Sequence, residues 1–120
     1  MEGIAGKAAK FDGTSGYAKI GQTSGPHINT ERSFTVSAWA KLDKKPSGAA
    51  VITAQAGQAA PGFELYYSAA YDRWAFNQYS SDSAAATPRY GRCSPTAPLP
   101  GRVRTWWACT TPPPTPSPCT

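Results

Sequence analysis

The sequence predicts an all-β chain, built as an antiparallel sandwich or barrel. Three observations carry that expectation. Apolar residues alternate with period two in several short runs, and turn residues separate those runs at regular intervals. Nowhere does a capped stripe of helical period outscore the strand pattern. All three hold only as far as about residue 86.

The elements follow in order. Residues 4–11 and 17–20 are extended pieces around Asp12-Gly13-Thr14-Ser15-Gly16, a hairpin-like start with an Asp-Gly turn. Residues 21–30 are rich in turn formers, with Gly25-Pro26 at their centre. Residues 33–42 make the clearest strand. Phe34, Val36, Ala38, Ala40 and Leu42 share a core face, while Thr35, Ser37, Trp39 and Lys41 share the other. Pro46 and Gly48 break its continuation. Residues 49–54 are a short β-branched run and 57–62 a loop. Residues 63–67 and 74–79 alternate again, joined through Tyr71-Asp72-Arg73 as a tight connection.

After Ala86 the chemistry changes. All seven acids lie at or before Asp82, and all three cysteines at or after Cys93. The organisation expected is a partial sandwich over 1–86 and a Pro/Thr/Arg-rich tail over 87–120 that is disordered. The 120 residues suffice for one domain at most. The net charge of +5 invites a nucleic-acid reading, but four tail arginines supply most of it. Residues 1–86 hold eight basic against seven acidic side chains, with no basic stripe interleaved with aromatics. Nucleic acid is therefore not an expected partner. Glu2-Gly3-Ile4-Ala5-Gly6 is not a secretory signal. No apolar run approaches the roughly 20 residues that span a bilayer. Cys109 and Cys119 lack zinc-ligand spacing, and the cysteines read as incidental.

Three motifs then carry a resemblance. Residues 6–18, Gly6-Lys7-Ala8-Ala9-Lys10-Phe11-Asp12-Gly13-Thr14-Ser15-Gly16-Tyr17-Ala18, resemble the opening of bacterial laminin-G-like domains of the concanavalin A-like lectin/glucanase superfamily. Ser33-Phe34-Thr35-Val36-Ser37-Ala38-Trp39-Ala40-Lys41-Leu42 is similar to that family's "SFTVSAWVKL" strand. Gly62-Phe63-Glu64-Leu65-Tyr66-Tyr67 with Arg73-Trp74-Ala75-Phe76 is similar to its next hairpin. The resemblance covers roughly residues 3–86, about half of a complete domain. It implies an antiparallel jelly-roll β-sandwich, here incomplete. It also implies an extracellular or cell-surface parent that binds glycans or other proteins, without catalysis.

Two readings of the tail stand. Its Thr110-to-Thr120 composition is that of a Pro/Thr linker. Arg104-Thr105-Trp106-Trp107-Ala108-Cys109 is odd in a linker, and the genetic code offers another account. Tryptophan has a single codon, so reading from the third base of each codon gives Val and then Gly across Trp106-Trp107-Ala108. With C or G at most wobble positions, 104–120 becomes HLVGVYDAAADAVTLY, a strand, an Asp-Ala turn and a strand. That resembles a later segment of the same family. The chain is thus expected to leave the parent's reading frame between Ala86 and Arg104.

Candidate sites are few. Glycoside hydrolysis needs two carboxylates roughly 5–10 Å apart, and the strands carry isolated acids such as Glu64, with Asp43 and Asp72 at turns. His27 lies in a Gly-Pro loop without a nucleophile motif. The chain reads as a non-enzyme. Asp12 is either the acceptor of an Asx-type turn or one oxygen ligand of a Ca²⁺ site, which the superfamily resemblance suggests for the intact parent; one Asp cannot supply the six to eight oxygens needed. Tyr66, Tyr71, Trp74 and Tyr79 are candidate stacking platforms for a glycan, with Arg73, Asn77 and Gln78 as polar neighbours. Trp39 and Phe76 are expected to fill the core instead. The expected function is a non-catalytic binding module recognising carbohydrate or protein. A structural spacer in a large extracellular protein and an accessory module of a glycoside hydrolase are the alternatives. Half a sandwich leaves edges uncovered, so this fragment by itself is expected to be inactive.

Overall fold

The computed structural model describes all residues except 1, 4, 22, 24, 94–96 and 111–120. Its elements are β1 (Glu2–Gly3), β2 (Gly6–Lys7), β3 (Phe34–Lys41), β4 (Ala50–Gln55), β5 (Phe63–Ser68), β6 (Arg73–Tyr79), β7 (Pro88–Cys93) and β8 (Val103–Thr110). Every pairing is antiparallel. β1 pairs with β2, β3 pairs with β8, and the largest sheet runs β4-β5-β6-β7. The described residues are all-β, and the two larger sheets face each other as an incomplete jelly-roll sandwich.

The core lies between those sheets. Phe34, Val36 and Ala38 alternate inward along β3 and pack, with Ile28 and Ile52, on the buried Phe63, Leu65 and Phe76. The Phe34 ring lies 5.5 Å from Phe63 and 6.1 Å from Phe76, tilted against both. Phe63 and Phe76 stack at 6.1 Å across the β5–β6 pair. Each such contact contributes about 0.5–1.5 kcal/mol beyond the area it buries. The core face expected on residues 34–42 is the face observed. Trp39 is a correction: it is 52 % exposed. The reason is the parity of the strand, since a side chain one residue from Ala38 and Ala40 must leave the opposite face.

The start of the chain differs from the expected hairpin. The short pairing joins Glu2–Gly3 to Gly6–Lys7, and residues 8–33 contain no strand among those described. The Asp-Gly turn is present, but its flanks do not pair, and Phe11, Tyr17 and Ile20 stay exposed. The loop at 28–30 is tied to the large sheet by two amides. Gln55 accepts from Ile28 N and donates to Ile28 O, both at 3.0 Å. The buried Gln78 donates to Thr30 O. These side chains give the loop the hydrogen bonds that a neighbouring strand would have supplied.

Strands also run through residues for which no period is legible. β7 begins at Pro88, where a missing N–H is tolerated. β8 carries Val103, Thr105, Trp106 and Trp107, residue types that favour extended backbone. Gly101, at φ 73°, donates its N–H to Leu42 O at 2.7 Å and sets β8 alongside β3. The run 111–120 of the tail expected to be disordered lies outside the described residues.

A carboxylate closes the loops at one end of the large sheet. Asp82 accepts from the N–H groups of Gln58, Ala59 and Ala60 at 2.7–2.9 Å. Gly57 makes this approach feasible: a Cβ there would stand 2.1 Å from Ala60 O and 2.7 Å from the Asp82 carboxyl carbon. Gly57→Ala should destabilise the chain by about 1–3 kcal/mol through that overlap, read as a lower urea midpoint. Phe76→Ala should cost about 3–5 kcal/mol, a large share of the stability of a small domain. An unchanged midpoint for the Phe76 variant would show that the two sheets do not form one core.

Candidate functional site

Strand parity sorts the predicted site residues onto two faces of the β5–β6 hairpin. Along β6, Trp74, Phe76 and Gln78 point to the core, and Arg73, Ala75, Asn77 and Tyr79 to the outer face. In the β5–β6 register, Glu64 opposes Asn77 and Tyr66 opposes Ala75, so Glu64 and Tyr66 share that outer face. Tyr71 stands 49 % exposed in the connecting turn.

Two hydrogen bonds knit the outer face together. Asn77 Nδ2 donates to the Tyr66 hydroxyl at 3.0 Å, and the Tyr79 hydroxyl donates to Glu64 Oε2 at 3.3 Å. All four side chains are half-buried. Burial pushes both tyrosine hydroxyls above their ordinary value of 10.0, and the negative charge of Glu64 adds to the rise. Two protonated phenols, an amide and a carboxylate therefore stand side by side at neutral pH. Such a face can stack a flat apolar ring surface and exchange hydrogen bonds with hydroxyls around it.

Trp74 does not belong to this face. It is 4 % exposed and meets Tyr67 edge-on at 5.9 Å, so neither side of its ring is open for stacking. Its indole N–H is buried without a hydrogen-bond partner among the described residues. Glu64 is the opposite case, a member of the face that reading acids for catalysis passes over. The signal for it was its place two residues before Tyr66 in an alternating strand.

The turn that carries Tyr71 is fixed by Asp72, which sits at φ 49°. Its carboxylate accepts from the buried Tyr67 hydroxyl at 2.8 Å and from Lys45 Nζ. Lys45 and then Tyr67 hold the Asp72 carboxyl below its ordinary value, while burial and then Asp72 push the Tyr67 hydroxyl up. This cluster is an anchor beneath the turn, on the core side of the sheet.

Asp12 is also an anchor. Its Oδ1 accepts from the N–H groups of Thr14, Ser15 and Gly16 at 2.8–2.9 Å, and Oδ2 from the Ser15 hydroxyl at 2.8 Å. Those donors hold its carboxyl well below the usual carboxylate range. Among the described residues no group of three or more His, Cys, Asp or Glu side chains gathers around it. A carboxylate already committed to four donors does not fit a calcium site, which needs oxygens turned toward the ion. No described helix is long and apolar enough to cross a membrane.

The order and register of these strands now meet an independent finding. A family model described as the concanavalin A-like lectin/glucanase superfamily, in its laminin-G-like branch, matches residues 12–106. The chain belongs to this family. The match takes in the Asp12 turn, both strands of the outer face, β7 and the first part of β8. No curated protein and no solved structure matches the chain. In this laminin-G-like chain the β5–β6 hairpin is thus part of the family's own framework.

The pKa directions fix a pH dependence. Asp12, Asp72 and Asp82 all titrate below their ordinary 3.8 in the folded chain. Their stabilisation is fully present above that value and is lost as pH falls through the lower folded-state values. Asp72→Asn keeps a residue that tolerates φ 49° and removes the charge. Its thermal midpoint should fall less steeply than the wild type's between about pH 5 and pH 2. Equal slopes would show that Asp72 is not coupled to folding.

Proposed function

We propose that the chain is a non-catalytic recognition module of an extracellular or surface protein, and that it binds carbohydrate through the outer face of the β5–β6 hairpin. The observation that carries this reading is the joined set of Tyr66, Tyr79, Asn77 and Glu64, a hydrogen-bonded, half-buried aromatic and polar layer on the outer sheet face. Membership of a lectin and glucanase superfamily supports it. Catalysis is not proposed, because Glu64 has no second carboxylate placed with it on this face among the described residues. A protein ligand is the second reading, favoured by the exposed Trp39 on the other sheet.

The expected inactivity of a half-sandwich follows from sheets that lack strands beyond residue 86. With β7 and β8 each covering one sheet edge, the full chain can present the face. The displaced reading frame, entered between Ala86 and Arg104, remains our proposal for the coding sequence of the tail. Sequencing the encoding DNA tests it, and stop codons in the alternative frame would end it. The face at 64–79 lies upstream of that region and is the same under either reading.

Binding is tested by a glycan array followed by titration of any retained sugar. Tyr66→Ala and Tyr79→Ala should each weaken binding on the order of tenfold or more, as loss of a central aromatic contact does. Trp39→Ala should leave glycan affinity unchanged. Loss in Trp39→Ala with retention in both tyrosine variants would place recognition on the β3–β8 sheet instead.

A further inference from the structure

The geometry points to a neutral, polyhydroxylated glycan, rather than an acidic one, as the ligand class of the β5–β6 face, with Glu64 as the residue that sets this choice. The inference rests on the proposed binding role of that face and adds the charge of what it accepts.

Glu64 is the anion inside the aromatic layer. It opposes Asn77 across the strand pair, and its Oε2 receives the Tyr79 hydroxyl at 3.3 Å. Its charge is felt at both tyrosine hydroxyls of the face, Tyr66 and Tyr79. Asn77 stands beside both of those hydroxyls as well. A ring stacked on either tyrosine would therefore place its substituents close to the Glu64 carboxylate. Among the described residues of this face the cation is Arg73, which belongs to the other end. It opposes Ser68 at the turn, and the small, fully buried Ala75 separates it from Asn77 along β6. Its charge acts on Asp72 below the turn, one of the groups that hold that carboxyl down.

A carboxylate in that position is selective by elementary chemistry. It has about four acceptor directions and no donor, and Tyr79 uses one of them. Sugar hydroxyls can fill the others with charge-assisted hydrogen bonds, which are about twice as strong as neutral ones. A uronate or sulfate brought to the same place meets like charge. At about 4 Å in water that repulsion is on the order of a fivefold loss in affinity, and more where solvent is displaced.

Affinity electrophoresis of the full chain at about 0.15 M salt tests this, with xylan and galactomannan as neutral probes and polygalacturonate and heparin as acidic ones. Retardation counts as binding by the face only where Asn77→Ala abolishes it, which separates it from attraction of the basic tail to polyanions. The expected result is Asn77-dependent retardation by a neutral probe and none by the acidic ones. Glu64→Gln, which keeps the shape and an acceptor, should then gain Asn77-dependent retardation by an acidic probe, roughly fivefold or more over the wild type. Asn77-dependent retardation of the wild-type chain by polygalacturonate or heparin would overturn the inference and leave the binding face in place. Absence of Asn77-dependent retardation by every probe would overturn both. Circular dichroism of each variant confirms that a loss reports the face and not the fold.

Discussion

The contact of Phe34 with Phe63 and Phe76 is the interaction on which the rest of the structure depends. A two-stranded sheet such as β3–β8 is marginal alone in water. It persists here because one face of β3 is roofed by the larger sheet, with ring centroids 5.5–6.1 Å apart. The same contact fixes which way β5 and β6 face. Once Phe63, Leu65 and Phe76 are committed inward, parity sends Glu64, Tyr66, Asn77 and Tyr79 outward, where they meet and bond. The outer face of the hairpin is thus a by-product of core packing, with its register set by the phenylalanines behind it.

Polar side chains do for the loops what strands do for the sheets. Gln55 and Gln78 bond to the main chain of residues 28 and 30, Asp12 closes its own turn, and Asp82 gathers three amides of the β4–β5 loop. Each is a short polar group near backbone that would otherwise depend on solvent. This lets long stretches without strands lie on a small core without adding to it.

Legibility in the sequence followed the kind of physics involved. The inward face of residues 34–42 was readable because a period-two alternation survives in the residue types. The same rule, applied strictly, already put Trp39 outside and Trp74 inside; size and aromaticity suggested the reverse for each, and parity won. Glu64 was hidden because it matters through its neighbours across a register that pairs it with Asn77, and no local motif records that pairing. β7 and β8 were hidden for a different reason. Ladder hydrogen bonds belong to the main chain, so a strand at a sheet edge tolerates sequences without alternation. At the start of the chain Asp12-Gly13 does specify a turn, but a turn does not oblige its flanks to pair.

Asp82 has a consequence for how the sheet breathes. Its two oxygens join the β4–β5 loop to the β6–β7 loop through three amide protons that have no strand to hold them. Those two loops therefore cannot open separately: releasing one releases the other, and they form a single unit of local unfolding. The protection of the amides of residues 58–60 against hydrogen exchange becomes a direct readout of one carboxylate. Protonating that carboxylate loosens the three amides it holds, while the phenylalanine contact at the centre of the core stays shut.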